Sequence, residues 1–194
     1  MKRIKFYLLL ILARFLSKII KLHGKSSGTS FIGLVTLKIE PKFLKKVSKY
    51  MNTCISVTGT NGKTTTSGIL SHILEATNHS VIHNSKGANM LSGIANTFAL
   101  GITPFKKYDF AVLESDEAYL TKLYDDINSD YLVVTNLFRD QLDRYGELST
   151  TAKKIQNAID KNKNIQLILN ADDPLVVNFK TLGDKQPILY GFNK

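Results

Sequence analysis

"SVTGTNGKTTTSG", Ser56 to Gly68, decides how the rest of the chain is read. A short β-rich run, "TCISVTG", leads into it. A stretch of helical period, Lys63 to about Ala76, leads out. Strand, glycine loop, Lys-Thr and helix in that order describe a phosphate-binding loop. Gly59 and Gly62 let the backbone curl so that N–H groups point at phosphate oxygens, and the following helix adds its positive end. Lys63 can reach the β- and γ-phosphates, and the Thr64 hydroxyl can ligate Mg²⁺. Gly59, Thr60, Asn61, Gly62, Lys63, Thr64 and Thr65 are therefore the candidate nucleotide contacts. The spacing is tighter than the common loop. The usual first glycine would fall at Val57, and Gly59 stands only three residues before Gly62. The plain alternative is a glycine-rich turn ahead of a helix.

Outward from the loop the pattern repeats. "SVIHN", "YDFAVLE", "DYLVVTN", "IQLILN" and "PILYGF" are further apolar runs of strand length. Helical stretches separate them: Ala88 to Leu100, Glu117 to about Ile127, Thr150 to about Lys161, and a short one in "DDPLVVNFKTLG". In the last, Asp173 is the expected cap, Pro174 opens the first turn and Gly183 stands past the end. Six strands alternating with five helices predict an α/β fold, a doubly wound and mostly parallel sheet with helices on both faces. Ligands bind such sheets at the carboxyl ends of the strands, so the residues there carry the chemistry.

After the third strand comes "ESDE". Glu114 lies where a carboxylate faces the phosphate loop and can hold Mg²⁺; the other reading is a solvated acid. Asp116 and Glu117 read better as caps of the next helix. After the fourth strand comes "TNLFRDQLDRYGE", whose dense opposite charges mark Asn136, Asp140 and Arg144 as candidate contacts. After the second comes "NSKGANM", where Asn84 and Asn89 are either amide contacts to the nucleotide or simple turn residues.

The net charge is +10, and in the first fifty residues Glu40 is the only acid. No basic motif interleaved with aromatics supports nucleic acid as a partner. The single cysteine, Cys54, excludes a disulfide or a zinc site within these residues and fits a cytoplasmic compartment. "MKRIKFYLLLILARFLSKIIKLHGK" predicts an amphipathic helix, with Arg14, Lys18 and Lys21 on one face. Its uncharged run, Phe6 to Ala13, is too short to span a bilayer. Two readings stand. Leu8, Ile11, Leu12 and Phe15 pack against the chain's own core, or the helix lies on an anionic membrane surface. "GKSSGTSFIG" reads as a linker and "KFLKKVSKY" as a short helix. Residues 1–31 are thus expected to form helix and linker, and residues 32–194 the ATP-binding domain.

"TGTNGKTTT", Glu114, "TNLFRDQLDRYGE" and "NADDP" together resemble the central ATPase domain of the Mur ligases, which form amide bonds through an acyl phosphate. "NSKGANM" with "FRDQLDRYGE" is similar to one branch, the MurT-type subunits that amidate lipid II with a GatD-type glutaminase. The resemblance implies ATP and Mg²⁺, with Lys63 and Glu114 catalytic and Thr64 and Glu114 the metal ligands. It implies ammonia taken from glutamine and added to the D-glutamate α-carboxylate of lipid II, at the inner face of the plasma membrane. Gln141 stands where these ligases often carry a histidine, which removes a ligand from a second metal site. Lys153 or Lys154 lies near a lysine that is carbamylated in many of them. Full subunits of the branch continue into a zinc ribbon and a further domain. A shortened subunit is therefore expected, inactive alone, with zinc only in the full-length protein. The rivals are another Mur ligase, a folylpolyglutamate-synthetase-type enzyme, or a nucleotide-binding fragment without catalysis.

Overall fold

The structure, a computed structural model, describes residues 2–22, 30–85, 88–103, 105–138 and 147–192. Six strands form one sheet: β1 (Met51–Thr58), β2 (Val81–His83), β3 (Tyr108–Glu114), β4 (Tyr131–Val134), β5 (Gln166–Asn170) and β6 (Ile188–Tyr190). Their order is β2-β3-β1-β4-β5-β6, and every pairing is parallel. The helices are α1 (Lys2–Leu22), α2 (Phe31–Ile39), α3 (Phe43–Val47), α4 (Lys63–Ala76), α5 (Leu91–Gly101), α6 (Glu117–Leu123), α7 (Glu147–Lys161) and α8 (Pro174–Val177).

Strand order sets the layers. From β2 the chain steps in one direction, to β3, β4, β5 and β6, so right-handed crossovers place the connecting helices on one face. Only the step from β1 to β2 runs the other way, and it carries α4 to the opposite face. The side chains agree. Cys54, Ala111, Leu113, Leu132, Val134, Leu167 and Leu169 point into the large core with residues of α5, α6 and α7. Val57, Val112 and Val133, one position out of phase, form a smaller cluster with Leu70 and Leu74 of α4. The expected cover on both faces is present but uneven: among the described residues α4 has its face to itself.

Two expectations about the N-terminal third change. Phe31 to Gly33, expected in a linker, open α2, which lies along α5. Gly33 makes that approach possible, because a Cβ there would sit 1.7 Å from the backbone oxygen of Ser92. Sequence propensity counts Gly against a helix; the packing position overrides it. Helix α1 contributes Phe6, Leu9, Leu10 and Ala13 to the large core. Phe6 stacks on Phe43 and Tyr50, each ring pair 5.8 Å apart. Such pairs add about 0.5–1.5 kcal/mol beyond burial. Leu8, Ile11, Leu12 and Phe15, which one of the two readings packs against the core, are exposed. They lie on the opposite side of the helix from the buried set. Arg14 donates to the carbonyl of Ile102, just past α5. No helix among the described residues is long and apolar enough to cross a membrane.

Gly33→Ala should destabilise the fold by about 1–3 kcal/mol through overpacking. In a chain of this size each kcal/mol lowers the melting midpoint by roughly 2–4 °C. An unchanged midpoint in calorimetry would mean that α2 does not lie this close to α5.

Candidate nucleotide-binding site

The loop after β1 is shaped by its neighbours rather than by itself. Gly59 and Gly62 have φ of +125° and +81°, in the region that favours glycine. At Gly59 space is also lacking, since a Cβ would lie 2.3 Å from Thr135 Oγ1 and 2.8 Å from Asn136 O. The loop therefore lies directly on the chain leaving β4. The Thr60 N–H donates to Asn136 O at 2.8 Å. The Asn136 side chain meets the Asn61 backbone twice, accepting from its N–H at 2.9 Å and donating to its carbonyl at 3.0 Å. Thr135 Oγ1 donates to Asn61 O at 2.8 Å, and the Phe138 N–H donates to Thr60 Oγ1 at 3.2 Å. Asn136, expected to contact nucleotide, is placed as the clasp of the loop.

Beyond Gly62 the chain enters α4, with Thr64 and Thr65 exposed in its first turn. The Lys63 ammonium donates to the carbonyls of Gly59 and Thr60, the latter at 3.0 Å. It also lies 3.6 Å from Glu117 Oε1. Glu117, expected as a cap, instead faces the phosphate loop, and Asp116 alone caps α6 by accepting from the Ala118 N–H at 2.8 Å. Nothing in "ESDE" distinguishes these roles; the first turn of α6 does, by turning Glu117 toward Lys63.

Glu114 ends β3 opposite Val57 in the sheet register, beside the loop. It is buried. Its Oε1 accepts from Asn89 Nδ2 at 3.4 Å. Its Oε2 is buried and has no hydrogen-bond partner. A bare buried carboxylate oxygen is costly unless a cation or donor meets it. Asn84, fully buried, fixes this acid through the backbone. It accepts from the Glu114 N–H at 2.8 Å and donates to the Glu114 carbonyl at 2.7 Å. Asn84 thus extends the β2–β3 ladder by one rung made of side chain. Both asparagines after β2 serve the carboxylate, Asn84 by placing it and Asn89 by touching it.

His83 was not anticipated. It ends β2 and its Nε2 lies 3.1 Å from Ser67 Oγ of α4. Burial lowers its pKa below the ordinary histidine value, against the opposing pull of the Glu114 charge, so it is neutral at pH 7. Asp173 caps α8 as expected, accepting from Leu175 and Val176 N–H groups. Its other oxygen accepts from the Leu137 N–H at 2.6 Å, which ties "NADDP" to the exit of β4. Lys153 and Lys154 are exposed on α7. Asp140, Gln141 and Arg144 lie outside the described residues. Among the described residues no three His, Cys, Asp or Glu side chains gather into a metal cluster. The fit to a cation rests on the bare Glu114 oxygen, and to phosphate on the N–H groups that open α4 and on Lys63.

The family model for the Mur ligase middle domain matches residues 57–194. The MurT subunit of lipid II isoglutaminyl synthase (glutamine-hydrolyzing) from Staphylococcus aureus (strain COL) is 39% identical over 173 residues, covering 89% of this chain and 39% of that protein. The MurT subunit from Streptococcus pneumoniae (strain ATCC BAA-255 / R6) is 40% identical over 148 residues, 76% of this chain and 33% of that one. The chain thus spans well under half the length of these relatives. A crystal structure of MurF from Acinetobacter baumannii superposes with a TM-score of 0.64 at 15% identity, over 82% of this chain and 35% of that one. MurF from Thermotoga maritima, solved in complex with ADP, does so with a TM-score of 0.59 at 20% identity, over 77% and 34%. These two likenesses concern the fold. The sheet order, the loop braced on the exit of β4 and the match over residues 57–194 lead to one assignment: the chain belongs to the Mur ligase family, through its middle domain.

Proposed function

We propose that this chain carries the ATP- and Mg²⁺-binding domain of a carbon–nitrogen ligase. Its reaction is the amidation of the D-glutamate α-carboxylate of lipid II to D-isoglutamine. It works with a GatD-type glutaminase that supplies ammonia, in the cytoplasm at the inner face of the plasma membrane. Residues 32–194 form the ATP-binding domain in this reading. The observation that carries it is the buried, unpartnered Oε2 of Glu114, set on the strand next to the phosphate loop. The identity to MurT subunits supports the choice of acceptor and partner.

In this reading the substrate carboxylate attacks the γ-phosphorus of ATP and ADP leaves; ammonia then attacks the acyl carbon and phosphate leaves. The chain's own part is to bind and to neutralise. Asn136 takes the N–H groups of Thr60 and Asn61, so those from Gly62 to Thr65 and the Lys63 ammonium would face the phosphates and stabilise charge on the transferring group. Glu114 and Thr64 would hold Mg²⁺, which supplies further neutralisation of that charge. Asn84 and Asn89 keep the Glu114 carboxylate in place. An activated acid needs no protein nucleophile. Cys54 agrees with that, since burial pushes its thiol up to about 12.

Three outcomes are expected. Lys63→Ala should weaken ATP binding by at least ~2 kcal/mol, a loss of about thirtyfold, because it removes the charge facing the phosphates. Calorimetry reads it, and unchanged affinity would refute the loop assignment. Glu114→Gln should retain much of the nucleotide affinity and lose metal affinity; equal Mn²⁺ titrations by EPR for variant and parent would remove Glu114 from the metal site. The protein with its glutaminase, lipid II, ATP and glutamine should convert the D-glutamate α-carboxylate to a carboxamide, read by mass spectrometry. If that mixture consumes ATP only when a free amino acid is added, the amidating reading fails and an amino-acid-adding ligase replaces it.

A further inference from the structure

Helix α1 is apolar on two sides, and the fold uses only one. Phe6, Leu9, Leu10 and Ala13 enter the core. Ile4, Leu8, Ile11 and Phe15 follow the spacing of a second stripe and remain 64%, 58%, 60% and 59% exposed. Helix α2, packed on the same α5, leaves Phe31, Leu34 and Ile39 exposed. Isolated surface leucines need no explanation, but a run of this kind along a whole helix does.

Beside this stripe stands a second exposed aromatic. Phe105, between α5 and β3, is 91% exposed and has φ +66°, a conformation unfavourable for a bulky residue. Its ring lies 5.7 Å from that of Tyr7, at the margin of the α1 stripe. Lys106 and Lys107 follow it, and with Tyr7, Lys49, Tyr50 and Phe105 they line a shallow cavity of 320 Å³. Lys5 and Lys18 are exposed on α1 itself. None of these lysines takes part in an ion pair among the described residues. No acid lies on α1 or in the cavity lining.

We infer that the outward stripe of α1 and the Phe105–Lys107 loop together form a docking face for an anionic lipid bilayer, with the apolar side chains entering the interface and the lysines meeting lipid phosphates. Charge decides the occupant. An apolar stripe rimmed by lysines outside any ion pair among the described residues, two of them over tyrosine rings, suits a surface that is apolar inside and negative at its edge. A second copy of the same face would bring lysines against lysines. The inference uses no residue of the phosphate loop, so it stands apart from the ligase reading.

The test is flotation of the 194-residue chain with vesicles containing phosphatidylglycerol and with vesicles of phosphatidylcholine alone, no lipid II being present. Binding should require phosphatidylglycerol and fall as salt rises. Lys106→Ser with Lys107→Ser should weaken it roughly tenfold or more, at about 1 kcal/mol for each charge near the surface. Leu8→Glu and Phe105→Ser should abolish it. All four positions are exposed, so melting curves and ATP titrations should match the parent; if Leu8→Glu misfolds, Phe105→Ser carries the test. Absence of binding to either vesicle, or equal binding to both, overturns the inference. So does a concentration-dependent dimer that Leu8→Glu dissolves, which would assign the face to a second copy. Intact ATP binding without vesicle binding fails this inference alone; vesicle binding without ATP binding fails the ligase reading alone.

Discussion

The carboxyl edge of the sheet depends on how closely the backbone at Gly59 approaches that of Asn136. No side chain fits between them, and the N–H groups of Thr60 and Asn61 are both closed by Asn136, on the chain leaving β4. The loop is therefore a joint product of β1 and β4. Because β4 neighbours β1 directly, the clasp forms as soon as the two strands pair. β3 flanks β1 on the other side and delivers Glu114 at the same height. Three strand ends then converge on the point where the direction of the crossovers reverses, the usual place for a ligand in such a sheet.

The same edge explains why asparagine recurs there. An amide offers a donor and an acceptor from one planar group, and so can substitute for a backbone peptide. Asn84 does this for the strand end at Glu114, and Asn136 does it for the loop at Asn61. Both are spent on structure, and neither amide is left free to turn away from the backbone it holds.

The sheet and the phosphate loop were legible because they are written in local sequence: apolar runs of strand length, four of them closed by glycine or asparagine. The position of Glu114 followed from that pattern alone. The functions of Asn84, Asn136 and Glu117 did not, because each is fixed by a partner on another strand or helix. Glu117 is a cap by its position in sequence and a partner of Lys63 by its position in space. Helix α2 was hidden for a related reason. Gly33 looks like a breaker in one dimension and becomes a contact point only once α5 lies against it. In α1 the amphipathic pattern was visible, but its phase was not, since both sides are apolar and only the shape of the rest of the core selects Phe6 and Leu10 over Leu8 and Ile11.

That choice has a consequence for the order of assembly. Arg14 meets the carbonyl of a residue 88 positions further on, and Phe6 needs Phe43 and Tyr50. During synthesis, at roughly 5–20 residues per second, α1 waits several seconds before α5 exists to receive it. Throughout that interval the longest helix among the described residues is complete while both of its apolar sides are uncovered. Helix formation is local and fast, whereas the seat is remote and late. An apolar helix made before its seat is a transient exposure, and it ends only when α5 and the Phe43–Tyr50 segment close on it.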